Sequence, residues 1–190
     1  SKYAASQLRL VRIIYDSLGF ICSACMWGGV NMVAMAQNLE EFICYDEFWL
    51  GKDMENMGYL FEYCEEYCRE ILEDGQFHLD KEMFIESFMK SDCRALMEIG
   101  HPTLLSQAAY DTARDFIEVD NNKEMTGFRL TGKPRDYARN QLYWVGWMYA
   151  YIHFESKKRS KEIIEKLPLH EILTDYKIGH EMSKEAYYSK

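Results

Sequence analysis

Apolar residues recur every three to four positions along most of the chain, and two stretches depart from the rest in opposite ways. Over residues 53–74, Met57, Leu60, Phe61, Cys64, Tyr67, Cys68, Ile71 and Leu72 form one apolar stripe. Glu62, Glu65, Glu66, Arg69, Glu70 and Glu73 cover the remaining surface, which predicts one amphipathic helix ended by a left-handed Gly75. Over residues 136–155 no such division exists. Trp144, Trp147, Tyr137, Tyr143, Tyr149, Tyr151 and Phe154 alternate with Leu142, Val145, Met148 and Ile152, so apolar groups surround the predicted helix. A helix apolar on all sides is a buried one. Asp136 is placed to cap its N-terminus, and Gly146, between the two Trp, implies a close backbone approach.

The same periodicity predicts further helices over residues 7–20 and 30–44, one beginning after Asp80 with Phe84/Phe88 and Ile85/Met89 as pairs, and one over 93–99 stopped by Gly100-His101-Pro102. It continues with 103–119, a short helix capped by Ser160, and another starting at Pro168. Residues 126–131 alternate, and a small hairpin with 117–119 is the one β element considered; the C-terminal segment around Tyr187-Tyr188 is expected to be partly ordered. The expected fold is therefore all-α or mainly α: a compact helical domain around a central aromatic helix, one domain over 1–190, with 121–134 as the best internal boundary.

Composition narrows the function. A net charge of −9 disfavours sequence-independent binding to DNA or RNA, which needs Lys and Arg to displace counterions. Sixteen acids fall between Glu40 and Asp92, against Lys52, Arg69, Lys81 and Lys90. On a rigid helical body such carboxylates compete with phosphates for a basic groove. Glu62, Glu65, Glu66 and Glu70, with Asp46 and Glu47, are the candidate partner contacts; Trp49, beside Tyr45 and Phe48, is a candidate apolar anchor.

The charge-free run over 17–39 is long enough to span a bilayer, but Gly28-Gly29, Ser23, Asn31, Gln37 and Asn38 favour two buried segments joined by a turn. Six Cys in a chain that is neither short nor loop-rich read as reduced cytoplasmic thiols. Cys22-x-x-Cys25 with Cys64 and Cys68 has the count for a zinc site, yet Cys64 and Cys68 lie on the stripe the core should bury, so no metal or cofactor is expected. His170-Glu171 and His180-Glu181 lack the second His of a helical zinc-protease motif, with Thr174 in its place. Cys93 with His101 is the one local nucleophile–base pair, and His153 reads as a core histidine. Residues 127–134 have neither the spacing nor the Ser/Thr of a phosphate loop.

Tyr143-Trp144-Val145-Gly146-Trp147 and Ala150-Tyr151 are followed by Ser160, Ile163, Pro168-Leu169, Ile172-Leu173, Tyr176 and His180-Glu181, and preceded by 88–91, Glu98, Gly100, Pro102 and Ser106. In order and spacing this C-terminal half resembles a family of small proteins of Gram-positive gut and lactic bacteria, carried on mobile elements and near toxin–antitoxin-like cassettes. The resemblance implies a cytosolic, non-enzymatic partner protein and carries over no site residues. With the acidic charge, it is similar by analogy to inhibitors of host nucleases, anti-CRISPR proteins included. The expected partner is thus a basic protein such as a CRISPR-Cas nuclease, with no direct contact to nucleic acid or membrane. An antitoxin facing a cognate toxin is the alternative, and a zinc- or thiol-dependent enzyme the third class.

Overall fold

The structure is a computed structural model that describes residues 44–76, 78–120, 128–130 and 132–190. The helices expected over 7–20 and 30–44, the Cys22/Cys25 pair and the charge-free run lie outside the described residues. Among the described residues, ten α-helices follow a short 3-10 turn at Glu47–Trp49: α1 Leu50–Glu62, α2 Cys64–Ile71, α3 Lys81–Met89, α4 Asp92–Glu98, α5 Pro102–Ser106, α6 Ala109–Asp115, α7 Gln141–Ser156, α8 Ser160–Lys166, α9 Leu169–Gly179 and α10 Lys184–Tyr188. The fold is mainly α, with no strand among the described residues.

Helices α1 and α7 form the central pair and share the most extensive contact in the fold. Gly146 makes it possible. A Cβ there would collide with the Met57 carbonyl oxygen and stand 2.6 Å from its carbonyl carbon, so the backbones touch where a side chain would hold them apart. Gly58 answers from α1, its missing Cβ filled by the Tyr143 ring at 2.7 Å. Helices α5 and α6 pack on α1, while α8, α9 and α10 pack on α7. One continuous core runs from Tyr45 to Tyr187. Phe84 and Phe88 of α3 both meet Phe116 edge-on, at 5.2 and 5.3 Å between ring centroids. The end of the chain is built into this core: Tyr187 is buried and meets Trp144 edge-on at 5.1 Å, beside Gly179.

Several expected boundaries move. The 53–74 helix breaks at Tyr63 (φ −107°, ψ 14°), where Lys81 Nζ donates to the Glu62 carbonyl oxygen at 3.2 Å and replaces a helical partner. Its second part ends at Ile71 and is closed by Glu73 in a left-handed conformation (φ 54°), two residues before Gly75, with Asp74 N–H donating back to the Arg69 carbonyl at 3.2 Å. Asp80 caps α3 as expected, accepting from Met83 N–H at 3.0 Å. The 103–119 helix is three pieces, because Gln107 and Ala108 are extended (ψ 165° and 156°), and residues 116–120 form a π-helical turn. That turn removes 117–119 from any hairpin; Arg129 instead makes an isolated antiparallel bridge with Leu79.

Asp136 does not cap α7. The helix begins five residues later, after Asn140 in a left-handed conformation (φ 61°), and its first turn is served by Glu62, whose Oε2 accepts from Tyr143 N–H at 3.1 Å. Ser160 is the first residue of α8 rather than its cap, since Arg159 holds that position and the Ser160 hydroxyl is engaged elsewhere.

Candidate functional site

Between α1, α4, α7 and α8 lies a buried polar network. Arg94 Nη1 and Nη2 donate to the two carboxylate oxygens of Asp53 at 2.6 and 3.0 Å, and Arg94 Nε donates to Ser160 Oγ at 2.9 Å. Tyr45 Oη donates to Asp53 Oδ2 at 2.7 Å, and Ser160 N–H donates to Glu98 Oε1 at 2.5 Å. Burial alone would lower the Arg94 pKa, but the carboxylates of Asp53 and Glu98 hold it above its ordinary value. Burial pushes Glu98 up, against the pull of Arg94. The Tyr45 hydroxyl is raised by burial and then by Asp53. Every polar arm of Arg94 is engaged and the cluster is shut off from solvent, so its role is to hold four helices in register.

His153 extends the network. Its ring is buried, and Nδ1 lies 2.7 Å from the Lys158 carbonyl oxygen, which fixes the proton on that nitrogen. Nε2 is then free to accept from the Cys44 thiol at 3.4 Å. Burial, helped by the charge of Arg94, depresses the His153 pKa to about 4, and burial raises the Cys44 thiol. Neither shift favours the thiolate–imidazolium state that cysteine nucleophiles use.

Among the described residues, the remaining thiols are buried in packing positions. Cys64 and Cys68 are buried, Cys64 Sγ donating to the Phe61 carbonyl at 3.3 Å, and burial raises both thiols, Cys68 to about 12. Among the described residues, no three or more His, Cys, Asp and Glu are grouped to hold a metal ion. Cys93 is buried, and His101 Nδ1 accepts from Leu104 N–H at 3.4 Å as the cap of α5. His170 is exposed on α9; His180 stacks on Tyr176 at 4.6 Å at the helix end.

The candidate acids divide into two groups. Glu65 is buried and its Oε1 serves Arg69 at 2.8 Å and His78 at 3.2 Å. Glu62, half-buried, caps α7. Glu66 and Glu70 are exposed, as are Asp46 and Glu47, with Asp46 also capping the 3-10 turn through Phe48 N–H at 2.9 Å. Trp49 is half-buried against the core, leaving Phe48, 80% exposed, as the projecting aromatic of that turn.

The face carrying Glu66 and Glu70 also carries a tyrosine ladder. Tyr59 and Tyr63 stack at 6.2 Å, Tyr63 and Tyr67 lie 6.1 Å apart, and Tyr67 meets Tyr110 of α6 edge-on at 5.6 Å. Tyr59 also meets Tyr143 of α7 at 5.1 Å. Tyr59 and Tyr63 remain 41% and 44% exposed, enough ring surface to anchor a partner. The rings flank a recess of about 400 Å³ with Asn56 and Gln107 in its lining and Glu55 and Lys52 among its residues. The spacing of Tyr59, Tyr63 and Tyr67, four residues each, is legible in the sequence as one stripe on a helix. The polar/apolar division assigned only Tyr67 to a face. What joins Tyr110 and Tyr143 to that stripe is tertiary packing.

Comparison of the chain with protein-family models, curated proteins and solved structures finds no match.

Proposed function

We propose that the protein is a non-enzymatic inhibitor that binds a basic protein through the α1–α2 face, occupying ground that the partner uses for nucleic acid. The observation that carries this reading is the union, on one face, of exposed carboxylates at Glu55, Glu66 and Glu70 with exposed rings at Tyr59 and Tyr63. Carboxylates steer and orient a basic partner, but charge alone gives little affinity; tyrosines supply desolvated anchor area at small entropic cost. The enclosed state of the Arg94 network and the raised Cys thiols favour a binding role over a catalytic one. A nuclease of the CRISPR-Cas type is one partner with the required basic channel.

The test is capture of partners from a host lysate at two ionic strengths, by the full chain and by Glu66→Lys/Glu70→Lys. The expected result is a basic, nucleic-acid-binding protein that is released by salt, displaced by added nucleic acid, and lost with the charge-reversed variant. Recovery of no basic partner, or of one indifferent to the double reversal, would overturn the reading. Capture of a single cognate toxin that ignores added nucleic acid would favour the antitoxin alternative.

A further inference from the structure

We infer that the tyrosine-lined recess is a guanidinium site, which takes an arginine side chain of the partner; this rests on the partner-binding reading and specifies what the α1–α2 face grips. Asn56 is the residue that defines the ligand. It is 3% exposed, and its Nδ2 donates to the Gln107 carbonyl oxygen at 3.2 Å and to Thr112 Oγ1 at 3.1 Å. A backbone carbonyl only accepts, so the amide orientation is fixed. Thr112 Oγ1 directs its own proton to the Ala108 carbonyl at 3.3 Å, and Gln107 Nε2 donates to that same Oγ1 at 3.1 Å. Asn56 Oδ1 is thereby left as an acceptor with no hydrogen-bond partner among the described residues. A buried amide oxygen without a donor is costly, and a ligand that brings an N–H recovers that cost.

The recess walls state the rest. Tyr59, Tyr63, Tyr67 and Tyr110 surround it with aromatic carbon, and its volume of about 400 Å³ admits one long side chain. The Tyr67 phenol is raised by burial, then by Tyr63 and Glu66, so the ring stays neutral and its π-face attracts cations. Glu66 adds negative charge at this end of a chain whose net charge is −9, while Glu55, half-exposed, is paired at 3.5 Å with Lys52 of the same recess. A guanidinium meets all three conditions at once. It is flat and delocalised, so it stacks on tyrosine; its N–H groups lie in its plane, so one reaches Oδ1 while the faces stay on rings; and it is always charged. An ammonium offers no flat face, and a quaternary cation offers no donor.

The experiment titrates the full chain with N-acetyl-arginine methylamide, follows the tyrosine ring resonances, and repeats the titration with the citrulline counterpart, which keeps the shape and loses the charge. Saturable shifts at Tyr59, Tyr63, Tyr67 and Tyr110 are expected, with citrulline weaker by about tenfold. Tyr63→Ala, a half-exposed position that leaves the core intact, should weaken arginine by about fivefold, whereas Phe48→Ala should change nothing. Asn56→Leu, checked for folding by its thermal transition, should weaken arginine and citrulline alike, because both bring N–H donors to Oδ1, and leave the preference set by charge in place. Equal binding of arginine and citrulline, absence of saturable shifts, or indifference to Tyr63→Ala would overturn the assignment. The two readings separate cleanly. A chain that binds the arginine derivative but captures no basic protein keeps the recess and loses the inhibitor; salt-sensitive capture by a chain that shows no saturable shifts with the arginine derivative does the reverse.

Discussion

Arg94 and Asp53 meet fork to fork, Nη1 to Oδ1 at 2.6 Å and Nη2 to Oδ2 at 3.0 Å, across 41 residues of chain and with both side chains out of water. Removing one member leaves the other as a bare buried charge. Arg94→Met should therefore lower stability by about 3–5 kcal/mol in denaturant titration. Arg94→Met/Asp53→Leu should recover part of that loss, because Asp53 is no longer stranded, although buried Glu98 still loses its cation. The recovery stays incomplete, since Tyr45 Oη loses its acceptor at Asp53 and Ser160 Oγ loses the Arg94 donor.

Gly146→Ala places a methyl group against the Met57 backbone, which has no rotamer with which to yield. The central pair must separate, and overpacking of this kind costs about 3 kcal/mol or more. By contrast, Gly51→Ala, at an exposed position with nothing near its missing Cβ, should stabilise by about 0.5–1 kcal/mol. Thermal melts of the two variants give opposite signs.

The stability of the fold should fall on mild acidification. His153 has its pKa depressed to about 4 by burial, so between that value and the ordinary histidine range the unfolded chain binds a proton that the folded chain does not. Stability rises with pH across this window and is lost as pH falls through it, by about 3 kcal/mol in total. Glu98, raised by burial, works in the opposite sense, taking up its proton more readily when folded. The difference between wild type and His153→Gln isolates the imidazole: the gap in stability between pH 7 and pH 4.5 should shrink in the variant.

Two neighbouring glutamates should behave differently. Glu62→Ala removes the acceptor for Tyr143 N–H at the start of α7 and should cost about 1–2 kcal/mol. Glu66→Lys, on an exposed face, should stay within about 0.5 kcal/mol of wild type. A charge-reversal study of partner binding is clean at Glu66 and Glu70 and confounded at Glu62 and Glu65.

The apolar stripe of 53–74 and the all-round apolar character of 142–154 follow from periodicity, so both helices and a close backbone approach at Gly146 were readable from sequence, but not that α1 is the helix that makes it. Boundaries were not, and the reason recurs. Lys81 Nζ supplies the hydrogen bond that lets α1 stop at Tyr63, and Glu62 supplies the acceptor that displaces Asp136 from the start of α7; both donors of structure come from distant sequence. The polar network was invisible for the same reason. Asp53, Arg94 and Glu98 look like ordinary surface charges until α1 and α4 are brought together. Glu65 reads as solvent-facing by helical spacing, but His78, thirteen residues on, turns back to cover it. The tyrosine ladder lay in plain i, i+4 spacing, but its link to Tyr110 and Tyr143 required the packing of three helices.

Trp144 has Tyr187 edge-on at 5.1 Å and Tyr176 at 5.6 Å, with Gly179 leaving room for the outer edge of its indole. This indole is consequently a built-in optical gauge for the docking of the final helix. In a chain whose other three Trp are replaced by Phe, its emission should redden as α10 lifts away, before the centre of the molecule loosens, so that peripheral detachment and global melting can be timed separately in one sample.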